Sequence, residues 1–418
     1  MYKPKRGLWT SEDVGLQHPD RAMDFVANYV LDKFVEVDPD SHVAIDGTNK
    51  NDWVVLTGEI KSKAELNIEE LVFEAYRIIG YGFRPRVINM IYKQSPDIAQ
   101  GIERCGFEVI KQDMEGTDTT SYTNEVSNIE TVEVINEIGA GDQGIMIGYA
   151  NIESKDYLPL ALYLSKKIID KLTDYRCANT KLNSPIKMDM KSQVTIDYDK
   201  EVPEVHTVVV ALQQYKEEDI EYLRKVVTEL VNEVFEEENV KVSNNAIIHI
   251  NGTGKFVIGG PEGDSGEVGR KLICDSYGGY AAIGGGNTHG KDATKVDASG
   301  AYATRWLAKN IVASGLSDEC EVQLGYVIGQ PEPVSINVDL KGQQKTKVTE
   351  EDIEKYIKEN ISLSVKGIID RFDLKRPLRS VWSKHGYTGN TNRHDIVAPW
   401  EELSIVSDLE SLIEEKGE

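Results

Sequence analysis

The segment from Gly254 to Asp297, GKFVIGGPEGDSGEVGRKLICDSYGGYAAIGGGNTHGKDATKVD, holds 12 of the chain's 35 glycines. Glycine reaches positive φ and lets a backbone pass close to a ligand, so a cluster of this density reads as loops built for close approach. Arg270, Lys271, Lys291 and Lys295 are spaced between the glycines, with Asp264, Asp275, Asp292 and Asp297 interleaved. Lysine and arginine bind phosphate oxygens, and carboxylates hold the magnesium that accompanies a polyphosphate. The competing reading is a loop-rich surface with solvated charges. Against it stand the clustering of the glycines and the acidity of the rest of the chain.

At 418 residues the chain exceeds one ordinary core, so two or three domains are expected. A net charge of −23 argues against general nucleic-acid binding and against anionic membrane surfaces. An anionic substrate then needs a local basic patch, which the glycine-rich segment supplies. Cys105, Cys177, Cys274 and Cys320 form no CxxC pair. A zinc site or disulfide framework is therefore disfavoured and a reducing cytoplasm expected. No apolar h-region and no run of 18 apolar residues occurs, which disfavours secretion and membrane spanning.

Along the chain, Phe25, Val26, Tyr29, Val30 and Phe34 recur at helical spacing after Pro19, which suits a first-turn position. His18 and Asp20 would then sit at a helix N-terminus, where anions bind. Spacing alone favours a capping aspartate and a surface histidine. HVAIDGTNKNDWVVLTGEI reads as a hairpin carrying Asp46 and Glu59, and NIEELVFEAYRIIG as a helix with Asn67 and Glu70 at its start and Gly80 as its stop. VINMIY follows as a strand. Residues 105–137, polar and threonine-rich, read as a long loop or a small β-excursion.

GAGDQG matches the GxGxxG dinucleotide pattern at Gly139, Gly141 and Gly144, but a strand-like IMIGYA follows where that motif must open a helix. The middle third reads strand, helix, strand, strand, helix, strand. ASGAYATRWLAKNIVASG reads as a helix ending at Gly315, followed by two strands, a further helix and an irregular polar tail ending in a short acidic helix. GGNTHGK at 285–291 is a near-miss of a P-loop, because Asp292 stands where the magnesium-binding hydroxyl belongs.

The segments HPDR, GEI, QSPDI, GAGDQG, DMKSQVT, GKFVIGGPEGDSGEVGRK and GGGNTHGKDATKVDASGAY occur in that order. Together they resemble the S-adenosylmethionine synthetase (methionine adenosyltransferase) family, from about residue 9 to about residue 340, less so in the tail. The resemblance implies an α+β fold: three similar α+β domains about a pseudo-threefold axis, each with a mixed sheet and helices on one face. It places an N-terminal domain at 5–104, an inserted active-site loop at 105–137, a central domain at 138–252, a C-terminal domain at 253–400 and an acidic tail at 401–418. It also implies that ATP and L-methionine give S-adenosylmethionine, with the triphosphate of ATP expelled whole and then cleaved.

Carried over by motif, His18, Lys191, Arg270, Lys291 and Lys295 are the catalytic set. Asp189, Lys255, Phe256, Asp264, Lys271 and Asn287 join them around ATP, and Glu59, Gln94, Asp142, Asp264 and Lys295 surround methionine. Asp20 and Asp297 match magnesium ligands, two Mg2+ per site being expected, and Asp46 stands at the position of a K+ ligand. A homodimer sharing its active sites is implied, often assembled into a homotetramer. The chain departs from the family pattern at Arg21, where HPDK is usual, and at Gly15–Gln17, where an acid is lost. Asp46 is one methylene shorter than the usual glutamate, and the loop before GAGDQG is considerably longer than usual. Two other readings remain open: a non-catalytic regulatory subunit of the same family, and a different magnesium- and ATP-dependent transferase.

Overall fold

A computed structural model describes residues 2–94, 138–179, 184–216, 219–389 and 397–417, together with the backbone of two strands at 106–110 and 129–133. Helix α1 (Pro19–Val37) starts where proline fixes the first turn, and His18 caps it. The hairpin β2 (His42–Lys50) and β3 (Trp53–Lys61) turns at Asn51, which adopts φ 53°. Helix α2 (Ile68–Ile79) is capped by the Asn67 side chain on the Glu69 and Glu70 amides and stops at Gly80, φ 93°. The helix carries the chain back to β4 (Arg86–Lys93), which runs parallel to β3.

After the β5 (Gly106–Ile110) and β6 (Ile129–Glu133) hairpin comes β7 (Gly144–Asn151). Helix α3 (Leu160–Ala178), strands β8 (Ile186–Asp197) and β9 (Glu204–Gln214), helix α4 (Ile220–Glu237) and β10 (Val242–Ile250) make the next unit. Again the two hairpin strands are antiparallel and the last strand, reached through a helix, is parallel. A two-residue strand, β11 (Gly266–Glu267), lies in the glycine-rich segment. Then follow α5 (Val296–Ala313), the antiparallel pair β12 (Glu319–Tyr326) and β13 (Ser335–Asp339), and the helices α6 (Glu350–Asn360), α7 (Val365–Phe372) and α8 (Val406–Glu415).

The order helix, hairpin, helix therefore recurs three times, an internal repeat that residue identities hide. Each unit buries one sheet face under its helices, with cores built around Val26, Leu56 and Tyr76, around Leu164, Val208 and Val231, and around Trp306, Leu324 and Ile357. Two sheets are mixed. The third, β13-β12-β7, is antiparallel, because the chain goes from α6 into further helices instead of a fourth strand.

The units are stitched together by exchanged strands. β1 (Leu8–Val14), at the start of the chain, forms the edge of the β1-β8-β9-β10 sheet. β7 pairs with β12, and β11 pairs with β2 at the edge of β11-β2-β3-β4. The polar tail is more buried than its composition suggests. Glu401 lies between Arg305 and Lys309, at 2.9 and 2.7 Å, while Trp400 stacks on Tyr302 with centroids 3.8 Å apart.

Candidate active site

The glycine-rich segment visits the sheets of the three repeated units in turn. Phe256 accepts the Gln214 amide at the end of β9, Gly266 and Glu267 pair with β2, and Gly284 packs on the backbone of Ile145 and Ile147 in β7. Glycine is required at two of these crossings. A Cβ on Gly266 would lie 2.1 Å from the Pro19 carbonyl oxygen, and one on Gly290 2.3 Å from that of Ile45, with Gly290 at φ 69°.

These crossings assemble charged groups around the start of α1. The Asp20 carboxylate accepts the Glu267 amide at 2.9 Å and lies 2.6 Å from Lys271 Nζ and 3.6 Å from Arg270 Nη1. Lys191, on β8 beside Val14, pairs with Glu12 at 2.7 Å. His18 Nδ1 accepts the Asp20 amide, which leaves Nε2 as the ring's proton carrier. Burial and the nearby Lys271 pull the His18 pKa down to about 4, against the opposing pull of Asp20. The imidazole is therefore neutral at physiological pH.

A second group gathers where the segment enters α5. Lys291, bridged to Ala44 of β2, forms an ion pair with Asp297, whose carboxylate also accepts the Gly286 amide at 3.0 Å. Asp292, the residue that spoils the P-loop pattern, is structural: it accepts the Val43 and Thr294 amides at 2.8 and 2.9 Å and lies 3.4 Å from buried Lys295. Its pKa is held low against burial by Lys295 and His42. Ala44 also sits opposite Glu59, which accepts from Gln94 at 3.3 Å, so Glu59 and Lys291 flank one strand position.

The donor chemistry of Asp20 and Asp297 suits a hard divalent cation, since both are carboxylates already holding an ammonium group. Asp24, Asp275 and His289 also bring three ligand-type atoms within 4.8 Å of one another. There, however, the buried Arg21 guanidinium lies against both carboxylates and already supplies the cation.

Profiles of the S-adenosylmethionine synthetase N-terminal, central and C-terminal domains match residues 6–103, 137–256 and 258–402. The chain belongs to the S-adenosylmethionine synthetase family. A solved S-adenosylmethionine synthetase from Campylobacter jejuni, described as unusual, is 32% identical to it, with 97% of this chain and 100% of that one aligned and a TM-score of 0.81. The family binds ATP and methionine and typically uses magnesium and potassium.

Within this S-adenosylmethionine synthetase fold, the expected residues fall into several places. His18, Asp20, Arg270 and Lys271 form one cluster, with Lys191 close enough to bear on the His18 charge. Lys291 and Asp297 form another. Asp189 accepts the Gly260 amide at 2.6 Å, and burial raises its pKa to about 6. Lys255 is exposed and Phe256 half-buried beside the end of β9, while Asn287 packs against Gly269. Asp142 and Asp264 are exposed, each turned back onto the following amide, Gln143 or Ser265. Asp46 is exposed on the same face of β2 as Ala44. Lys295 points into the protein onto Asp292.

Sequence reasoning missed four partners of this site, Glu12, Asp24, Asn28 and His289, while Asp275, one of the interleaved carboxylates, lies fully buried. The same reasoning noted Arg21 only as a departure from the usual HPDK lysine, and Arg21 is fully buried. One signal was available, a polar line at Arg21, Asp24, Asn28 and Asp32 along an otherwise apolar helix.

Proposed function

We propose that the protein is a methionine adenosyltransferase, which joins the sulfur of methionine to C5′ of ATP and releases S-adenosylmethionine, phosphate and diphosphate. The observation that carries this reading is the gathering of Arg270 and Lys271 on Asp20 and of Lys291 on Asp297, on loops that meet where Asn287 packs against Gly269, with Lys191 on β8 near His18. Net charge elsewhere is strongly negative, so this cation set is placed for one anionic ligand.

In the first step a sulfur lone pair forms the S–C5′ bond while the C5′–O bond breaks and its electron pair passes to the triphosphate. A thioether has no proton to lose, so no general base is needed. Charge grows on the departing oxygen, and fixed cations stabilise it without reorganising. Arg270, Lys271, Lys291 and Lys191 supply those cations, and neutral His18 offers an Nε2–H to the leaving oxygen. Asp20 and Asp297 would hold the two magnesium ions, which neutralise polyphosphate charge when bound. Glu59, with Gln94 and exposed Asp142 and Asp264, would answer the methionine ammonium group. Phe256 would lie on adenine, with Lys255, Asp189 and Asn287 lining the pocket, while Lys295, turned inward onto Asp292, stands behind the cation set. In the second step water cleaves the retained triphosphate.

The outward face of the first sheet carries Glu59 and Asp46 beside exposed Ile88, Met90 and Tyr92. Such a face suits a second copy of the chain, giving a homodimer that shares its sites, with the tetramer as a further assembly. Asp46 is an oxygen donor suited to K+ there. The inserted active-site loop read at 105–137 falls largely outside the described residues. Incubation with ATP, magnesium and methionine, with and without potassium, should yield S-adenosylmethionine by mass spectrometry. ATP turnover with other amino acids replacing methionine equally well would point instead to a different transferase.

A further inference from the structure

Between Pro19 and Phe34 every residue of α1 except Tyr29 and Lys33 is buried, yet Arg21, Asp24, Asn28 and Asp32 form a polar line along it. Buried charges are weak stabilisers, and apolar side chains of the same shape would hold the helix as well. The polar line therefore calls for a role beyond stability, and its partners supply one.

Asp24 Oδ1 accepts the amide of Gly269, the residue before Arg270 and Lys271, at 2.8 Å. Asn28 Oδ1 accepts the amide of Gly290, the residue before Lys291, at 2.9 Å. The two anchor points are joined through the interior. Because the Gly290 amide fixes the orientation of Asn28, its Nδ2 donates to His289 Nδ1 at 2.9 Å. The other ring nitrogen donates to Asp275 Oδ2 at 2.9 Å. Arg21 Nη1 donates to Asp275 Oδ1 and, at 3.3 Å, to Asp24 Oδ2. The result is a continuous buried path from one cation-bearing loop to the other. Asp275 is drawn well below the usual carboxylate range by Arg21 and His289, against burial. A guanidinium can bridge Asp24 and Asp275 at once, which a single lysine ammonium does less rigidly.

We propose that Arg21, Asp24 and Asn28, through Asp275 and His289, are positioning residues that fix the spacing between the Arg270–Lys271 loop and the Lys291 loop, so that both grip one triphosphate. This rests on reading those cations as triphosphate-binding groups. A pair of loops held only at their own ends would drift, and an ångström of misplacement suffices to cost a large part of the rate.

Asn28→Ala removes the Gly290 anchor without stranding a charge, and Asn28→Asp restores an acceptor for that amide. The readouts are KM for ATP and for methionine in the full-length protein, and calorimetric binding of tripolyphosphate with magnesium chloride. Asn28→Ala is expected to raise the ATP KM and the tripolyphosphate Kd about tenfold while the methionine KM moves less than about twofold, with Asn28→Asp recovering most of the loss. Unchanged tripolyphosphate binding in Asn28→Ala would overturn the proposal. So would equal defects in Asn28→Ala and Asn28→Asp, or a loss confined to the amount of folded protein. The two readings fail separately: absence of S-adenosylmethionine formation overturns the functional reading, whereas the calorimetric series alone decides the positioning.

Discussion

On the proposed function, single side chains decide how the loops of this protein hold a polyphosphate. Lys291 is bridged to β2 through its backbone, paired with Asp297 and only partly buried, so its ammonium can exchange one anionic partner for another. Lys291→Met keeps the side chain's length and removes the charge. It is expected to lower kcat by about 10²–10³, the usual cost of removing one preorganised group from a developing negative charge, with the methionine KM little changed. Steady-state kinetics would check this, and a kcat within threefold of wild type would remove Lys291 from the reacting centre. The pairing of Lys291 with Asp297 joins two candidates that a contiguous motif had already set six residues apart. Asp24 and Asn28 were not legible in the sequence, because their meaning depends on which glycine amide each faces across more than 240 residues, nor was His289, which depends on Asn28 and Asp275.

At the scale of elements, the helices announced themselves through capping and periodicity. Asn67 and Gly80 bound α2 where the sequence placed them, and Pro19 opens α1. The exchanged strands left no such signal, since β1, β7 and β11 look the same in sequence whichever sheet they join. The tail is irregular and ends in a helix as read, but its burial left no signal either. Its aromatic residues are sparse, but Trp382 and Trp400 are buried and Glu401 fastens the tail to α5 through Arg305 and Lys309. Those cations hold the Glu401 pKa down at about 2, against burial and against an ordinary value of 4.5. A depressed carboxylate contributes stability that is complete above its unfolded pKa and is lost as pH falls through the folded one. Glu401→Gln should therefore cost about 3–5 kcal/mol at pH 7, by leaving buried cations without their counter-charge. The gap to wild type should narrow between pH 4.5 and 2 in urea titrations. A pH-independent gap would contradict this account of the tail.

For the whole molecule, three repeats of helix, hairpin and helix surround a glycine-rich segment that touches the sheet of each repeat. The first sheet leaves Ile88, Met90 and Tyr92 exposed in line, next to Glu59. Light scattering should give a mass of twice the 46.7 kDa chain or a multiple of it. Met90→Asp should shift the protein towards monomer and lower turnover together, and a fully active monomer would show that each chain carries a complete site. The central claim is that methionine sulfur displaces the whole triphosphate at carbon. It is tested most directly with ATP carrying 18O in the bridge between C5′ and the α-phosphorus, incubated with magnesium and methionine. The account predicts unlabelled S-adenosylmethionine with all of the 18O in the phosphate and diphosphate released. Label retained on an adenosine product, or ATP consumption without S-adenosylmethionine, would contradict it.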